Sequence, residues 1–365
     1  MSAEPSRPGI LTDHQIDTLI AQGAVSAAAP FLDGQVQPAS LDLRLGPKAY
    51  RIRASFLAGR GMTVEQRLRD IALHEIDLTG GAVFEAGCVY LVPLLESLAL
   101  PADIAGIANP KSSTGRLDVF TRLIADRGEA FDRVEAGYRG PIYTEISPRT
   151  FSVVARTGSR LNQMRFRRGS ALLDDAALAK LQARTRLVDG TPDIESGIAL
   201  RADLTGDAKS GFIGYRAKRH VGLVDVDRIG AYESLDFWEP LSARAAKTLI
   251  LDPNEFYILA SKEAVHVPAT HAAEMVPFNP LVGEFRVHYA GFFDPGFGSA
   301  EADGVGARGV LEVRSHEVPF VLEDGQIVGR LVYEELAGTP GRLYGQGIGS
   351  SYQRQGLKLS KHFKA

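Results

Sequence analysis

The two halves of this 365-residue chain resemble each other at a fixed spacing. "FEAGCVYLVPLLESLALPADIAGIANP" at 84–110 is matched by "LDPNEFYILASKEAVHVPATHAAEMVPFNP" at 251–280. Tyr90 and Tyr257, Pro101 and Pro268, Glu145 and Glu312, Gly158 and Gly325, and Phe166 and Tyr333 each stand 167 positions apart. Self-similarity at one offset implies two copies of one folding unit, each of ordinary domain size. From "SLDLRLG" (40–46) onward, short apolar or alternating runs are broken by Gly, Pro, Asp and Asn, the pattern of antiparallel strands with tight connections. Helices are few. Thr12 and Gln15 have capping-box spacing ahead of Ile16, Leu19 and Ile20. "DDAALAKLQARTR" (174–186) combines an Asp cap with strong helix formers. A polar, turn-rich stretch follows it, so the expected organisation is a first domain over 1–170, a helical connector over 171–205 and a second domain over 206–365.

Hydrophobic residues make up 45% of the chain and charged residues 23%, which suits a globular protein. A net charge of -3 gives no reason to expect nucleic acid as the main partner. No apolar run reaches membrane-spanning length and "MSAEPSRPG" has no signal-peptide core, so no membrane association and a cytoplasmic setting are expected. A single cysteine excludes an internal disulfide and a Cys-rich metal cage. Cys88, inside "CVYLVPLL", reads as a buried structural thiol. None of the eight histidines falls in a His-Glu-x-x-His motif, and the two-cysteine signature of zinc nucleobase deaminases cannot be met.

The copies differ at one point where chemistry can reside. The first has "NPKSSTGRLD" (109–118); the second has "NPLVGEFRVH" (279–288) after the equivalent Asn-Pro and lacks both serines and the lysine. A hydroxyl and cation cluster found in one copy only is not needed to fold the unit. Such a turn offers hydroxyls, backbone N–H groups and cations to phosphate oxygens, without the spacing of a P-loop or a Rossmann turn. Downstream, "GYRGPIYTEI" reads as a Gly-rich turn feeding a strand, with Ile142, Thr144 and Ile146 on one face and Tyr143 and Glu145 on the other. A carboxylate at such a position ordinarily faces solvent; turned into a pocket, Glu145 would be a general base. The tail "YGQGIGSSYQRQGLKLSKHF" (344–363) has the composition of a frayed end or of a lid that orders on a ligand.

Taken in order, these segments resemble the dCTP deaminases, which group with the trimeric dUTPases. "LTDHQIDTLIAQGAV" with "QPASLDLRLG" is similar to the opening helix and first strand motif of that family. "KSSTGR" resembles its Arg-Ser-Ser-x-x-Arg motif, with Lys111 in place of arginine. "RVEAGYRGPIYTE" resembles its Arg-Ile-Asp-Pro-Gly-Trp and Val-Leu-Glu segment, and Tyr344, Tyr352 and "QRQG" resemble its closing tail. The resemblance implies a mainly β fold of two tandem dUTPase-like domains (β-clip, distorted jelly roll), the second of them degenerate. It implies hydrolytic, zinc-independent deamination of dCTP to dUTP and ammonia, with Mg²⁺ carried on the triphosphate. Glu145 would be the base and Ser112 and Arg116 would hold the water, while Lys111, Ser113, Arg133, Glu135, Gln163, Tyr344, Tyr352 and Gln355 would bind substrate. Glu312 is a rival to Glu145, because "GVLEV" is closer to Val-Leu-Glu than "IYTEI" is, and Asp294 and Glu312 could join the site from the second copy. Glu145 is preferred, since its serine and arginine partners lie in its own copy. The dUTPase-like wording of "AGYRG", with Glu135 at the water-positioning place, leaves a dUTP diphosphatase or a bifunctional enzyme as one alternative. A non-catalytic nucleotide-binding protein is another. Feedback by dTTP and a homo-oligomer, a trimer in preference to a dimer, are further implications.

Overall fold

The computed structural model describes residues 7–207, 210–277, 285–287, 291–315, 317–346 and 352–364. The chain is built mainly from antiparallel strands, and the duplication appears in their register. Phe166 lies opposite Gly106 in the first copy and Tyr333 opposite Ala273 in the second. Likewise Glu145 faces Leu91, and Glu312 faces Ile258. A one-residue slip would turn every side chain to the other face, so equal registers show that both copies use one strand-pairing plan. Most of "NPLVGEFRVH" lies outside the described residues; its 285–287 form a strand that pairs with Ala307–Ser315.

Each copy has two principal sheets. In the first, Asn162–Arg168 pairs with Ile104–Pro110 on one side and Ser40–Leu43 on the other, while Arg139–Pro148 sits between Val119–Ala125 and Val89–Ala99. In the second, Ile327–Glu335 pairs with His271–Pro277 and Ile198–Arg201, and Phe256–Val265 sits between Phe212–Ala217 and Ala307–Ser315. The opening helix spans Asp13–Ala21, and Gln15 Oε1 accepts from the Thr12 N–H at 3.0 Å, as the capping-box spacing predicts. The helix over Asp175–Arg184 begins where the Asp174 side chain accepts from the Ala177 N–H. The 171–205 segment is more than a connector: Leu178, Leu187, Ile198 and Leu200 belong to the second copy's core. Cys88 is a free thiol only partly buried, at the edge of the first core. Among the described residues no helix is long and apolar enough to cross a membrane.

The copies share a core. In Ala307–Ser315, Leu311 and Val313 turn into the second copy's own cluster, whereas Val310 joins the first copy's. Phe256, Ile258 and Trp238 cross over in the same way. The second copy's sheet is therefore buried on both faces. The corresponding face of the first copy's sheet, carrying Leu91 and Tyr143, is covered instead by Val64–Ile71 through Val64 and Leu68. Strand Val153–Ala155 pairs with Val224–Asp225 of the second copy, and Arg314 donates to Asp118 and, at 2.8 Å, to Thr150 of the first. The tail closes this seam: Phe363 stands edge-on to Trp238 at 5.9 Å and to Phe151 at 6.3 Å, inside a cluster with Phe237. Removing a buried aromatic ring costs about 3–5 kcal/mol. Phe363→Ala should therefore lower the unfolding free energy by an amount in that range, read from the urea midpoint at unchanged slope.

Candidate active site

A cavity of ≈ 210 Å³ opens on the seam between the copies. The first copy contributes the turn after Ile104–Pro110, in which Ser112–Gly115 form a short helical turn. The turn is fixed by the Lys111 N–H donating to Leu161 O at 2.8 Å and by Thr114 Oγ1 donating to the same oxygen at 2.9 Å. Lys111, Ser112, Ser113 and Arg116 line the cavity. So do Asp42 and Gln163, which face each other across neighbouring strands and so share a sheet face. Lys111 forms an ion pair with Asp42, and Arg160 reaches the same carboxylate at 3.4 Å. Lys361, from the tail, adds a third cation at this end. Its pKa is lowered, first by burial and then by the charge of Lys111.

The second copy contributes Phe292, Phe293, Asp294, Phe297 and Glu312. Glu312 points here because strand alternation sends Leu311 and Val313 into the second copy's core. Burial pushes its carboxyl up to about 8, against the pull of Arg116. Arg116 is the junction of the whole arrangement. Its Nε, otherwise unpartnered, lies 4.0 Å from Glu312 Oε1. Its other nitrogens donate to Gln355 Oε1 at 2.9 Å and Lys358 O at 3.0 Å, and its guanidinium lies 3.9 Å from the centre of the Tyr352 ring. Tyr344, Tyr352 and Gln355 thus meet the serine turn, and Ser360 Oγ donates to Ser113 O at 2.8 Å.

Three residues expected in the site are elsewhere. Glu145 is buried but does not line the cavity; its Oε1 accepts from Arg122 at 3.0 and 3.2 Å, and Arg122 stacks over Phe131 at 4.0 Å. It is neither the solvent-facing carboxylate of an alternating strand nor a neighbour of Ser112. Arg133 and Glu135 are exposed and likewise do not line the cavity. Their places are taken by Phe292 and Asp294: Arg133 pairs with Ile107 and Phe292 with Glu274, which is the same register in the other copy. The reason is geometric. The serine turn of one copy faces the carboxylate strand of the other, so partners adjacent in sequence are separated in space. The second copy is consequently not the degenerate one: each copy retains the half-site that meets its neighbour. Asp42, Arg160, Phe292 and Lys361 carried no sequence signal; the pairing of Asp42 with Gln163 across neighbouring strands is visible only in the fold.

A family model described as the 2'-deoxycytidine 5'-triphosphate deaminase N-terminal domain matches residues 7–170, and one described as its C-terminal domain matches 174–363. The chain belongs to the 2'-deoxycytidine 5'-triphosphate deaminase family. The solved structure of 2'-deoxycytidine 5'-triphosphate deaminase from Agrobacterium tumefaciens is 60% identical to it, with a TM-score of 0.88 over 91% of this chain and 99% of that one. A dUMP-forming dCTP deaminase of Corynebacterium kroppenstedtii is 33% identical over 38% of this chain and 70% of its own length. A dCTP deaminase of Shewanella amazonensis is 28% identical over 43% and 82% respectively. Such relatives align over most of their own length but under half of this chain, as a duplicated chain requires.

The buried acid carries a stability cost with a definite sign. A carboxyl whose folded pKa lies above its unfolded value destabilises the fold once pH rises above the unfolded value, and the cost grows up to the folded value, here about 8. Glu312→Gln, which keeps the shape without the charge, should raise the melting temperature at pH 9 more than at pH 5 in a thermal scan.

Proposed function

We propose that the chain deaminates dCTP to dUTP and ammonia, with Glu312 as the proton-transfer group. The observation that carries this reading is the burial of Glu312 beside Arg116, in one cavity that is also lined by the serine turn, Lys111, Arg160 and Lys361. A carboxylate can take a proton from water only if its basicity approaches that of the task, and burial supplies that basicity. In the proposed reaction Glu312 removes a proton from a water held by Ser112 and Arg116. The hydroxide oxygen bonds to C4 of the cytosine, the proton passes through Glu312 to the ring nitrogen, and the proton left on the new C4 hydroxyl is carried to the amine. The C4–N bond then breaks, ammonia leaves and the carbonyl forms. Arg116 offsets the charge that develops on the way.

The substrate would arrive as the Mg²⁺ complex of dCTP, its triphosphate toward Lys111, Arg160 and Lys361. No zinc has a role in this scheme. Lys111 supplies a point charge where a guanidinium would give a planar fork, and its pairing with Asp42 holds it ready in the free protein. Tyr352 and Gln355 close the site from the tail. The same reading includes a cytoplasmic setting, feedback by dTTP, and assembly as a homotrimer in preference to a dimer.

Incubation with MgdCTP should release ammonia with dUTP as the chromatographic product. Glu312→Gln should reduce kcat on the order of 10²–10⁴-fold, whereas Glu145→Gln should retain turnover. Ammonia without loss in Glu312→Gln would refute the assignment. Because the free enzyme needs Glu312 ionised, kcat/KM should rise with pH through about 8. A dUMP product, as in the name of the dUMP-forming Corynebacterium relative, would favour the bifunctional alternative. Nucleotide binding without any product would favour a sensing role.

A further inference from the structure

Behind the cavity wall stands a cation that the proposed chemistry does not use. Strand Asn162–Arg168 directs Met164 and Phe166 into the first copy's core. Alternation therefore turns Gln163, Arg165 and Arg167 toward the second copy. Gln163 reaches the cavity and Arg167 pairs with Glu334. Arg165 lies between them, buried. It donates from Nη1 to Ala273 O at 2.9 Å, and from Nη2 to Phe293 O at 2.9 Å and Asp294 Oδ1 at 3.0 Å. Its guanidinium is 4.1 Å from the centre of the Phe292 ring. Every one of these partners belongs to the second copy, and Phe292, Phe293 and Asp294 form the cavity wall. At the offset of the repeat, Val332 occupies the equivalent place, so a cation there is not a requirement of the folding unit.

We propose that Arg165 is a positioning residue for the site, which holds the Phe292–Asp294 wall from behind and keeps the Asp294 carboxylate facing the nucleoside. The inference rests on the proposed dCTP site. A buried charge persists only if it is paired and hydrogen-bonded, and a planar fork anchored on two carbonyls sets the carboxylate oxygen more firmly than a point charge would. The charged and titratable groups acting on Asp294 are Arg165 from this strand, Asp42 from Ser40–Leu43, Lys111 from the serine turn and Tyr344 from the tail. Burial raises the Asp294 pKa, and Arg165 is the foremost influence opposing that rise.

The test measures dCTP binding by equilibrium dialysis from pH 5 to 8 in a Glu312→Gln background, which removes that group's titration, alongside turnover with Glu312 intact. Arg165→Met should weaken binding at pH 7 and lower kcat/KM on the order of 10²-fold, as a displaced positioning group does. It should also move the acid midpoint of binding to higher pH, while Arg165→Lys should fall between Met and the parent in both readouts. Circular dichroism and the melting temperature identify any variant that fails to fold. Parent-like binding in Arg165→Met would overturn the proposal, as would a loss with an unmoved midpoint and no rescue by lysine. A parent protein that binds dCTP without releasing ammonia would instead defeat the functional reading, and the binding series would still decide the role of Arg165.

Discussion

The contact on which the rest of the arrangement depends is Arg116 reaching across the seam between Glu312 and the tail. A guanidinium buried in this way must satisfy its donors, and here they are shared among the tail carbonyl of Lys358, the Gln355 side chain and the approach of Glu312. One cation therefore connects the serine turn of the first copy, the acidic strand of the second and the closing segment. It also limits how far burial can raise Glu312, which keeps a carboxyl of high basicity close to a charge able to stabilise its ionised form.

Duplication followed by sharing of the site explains why each copy looks incomplete. The first keeps "KSSTGR" but lacks the Asp of "FFDPGF" at the matching place; the second keeps Asp294 and Glu312 but lacks the serines. Glu145, at the repeat equivalent of Glu312, does not line the cavity; its Oε1 accepts from both Nε and Nη2 of Arg122, on the sheet face covered by Val64–Ile71. The two glutamates share strand position and register and differ in what covers the sheet face. That difference separates a glutamate held in an ion pair with Arg122 from one that lines the cavity.

The tail shows how stability and closure are coupled. Phe363 is embedded among Phe151, Phe237 and Trp238, and His362, in a buried position, donates from Nε2 to Val226 O at 2.9 Å and has Nδ1 2.9 Å from Ser360 Oγ. Fixing Phe363 in the shared core holds Tyr352, Gln355 and Lys361 at the cavity wall, at less entropic cost than an unanchored segment would require.

Much was legible from residues alone. The offset of 167 positions gave the duplication, alternation gave the strands and their faces, and the Thr12–Gln15 spacing gave the opening helix. The serine turn stood out by residue type and by its loss from the second copy, whereas Gln163 and the tail tyrosines followed only from the resemblance to the deaminase family. The choice between Glu145 and Glu312 was not available in the same way, and neither were Asp42, Arg160, Lys361 and Arg165. Sequence fixes what each strand presents on each face, since a period of two is a local property. Which face meets which neighbour is decided by long-range packing of the copies, and only that packing sets Glu312 against Arg116 and leaves Glu145 with Arg122.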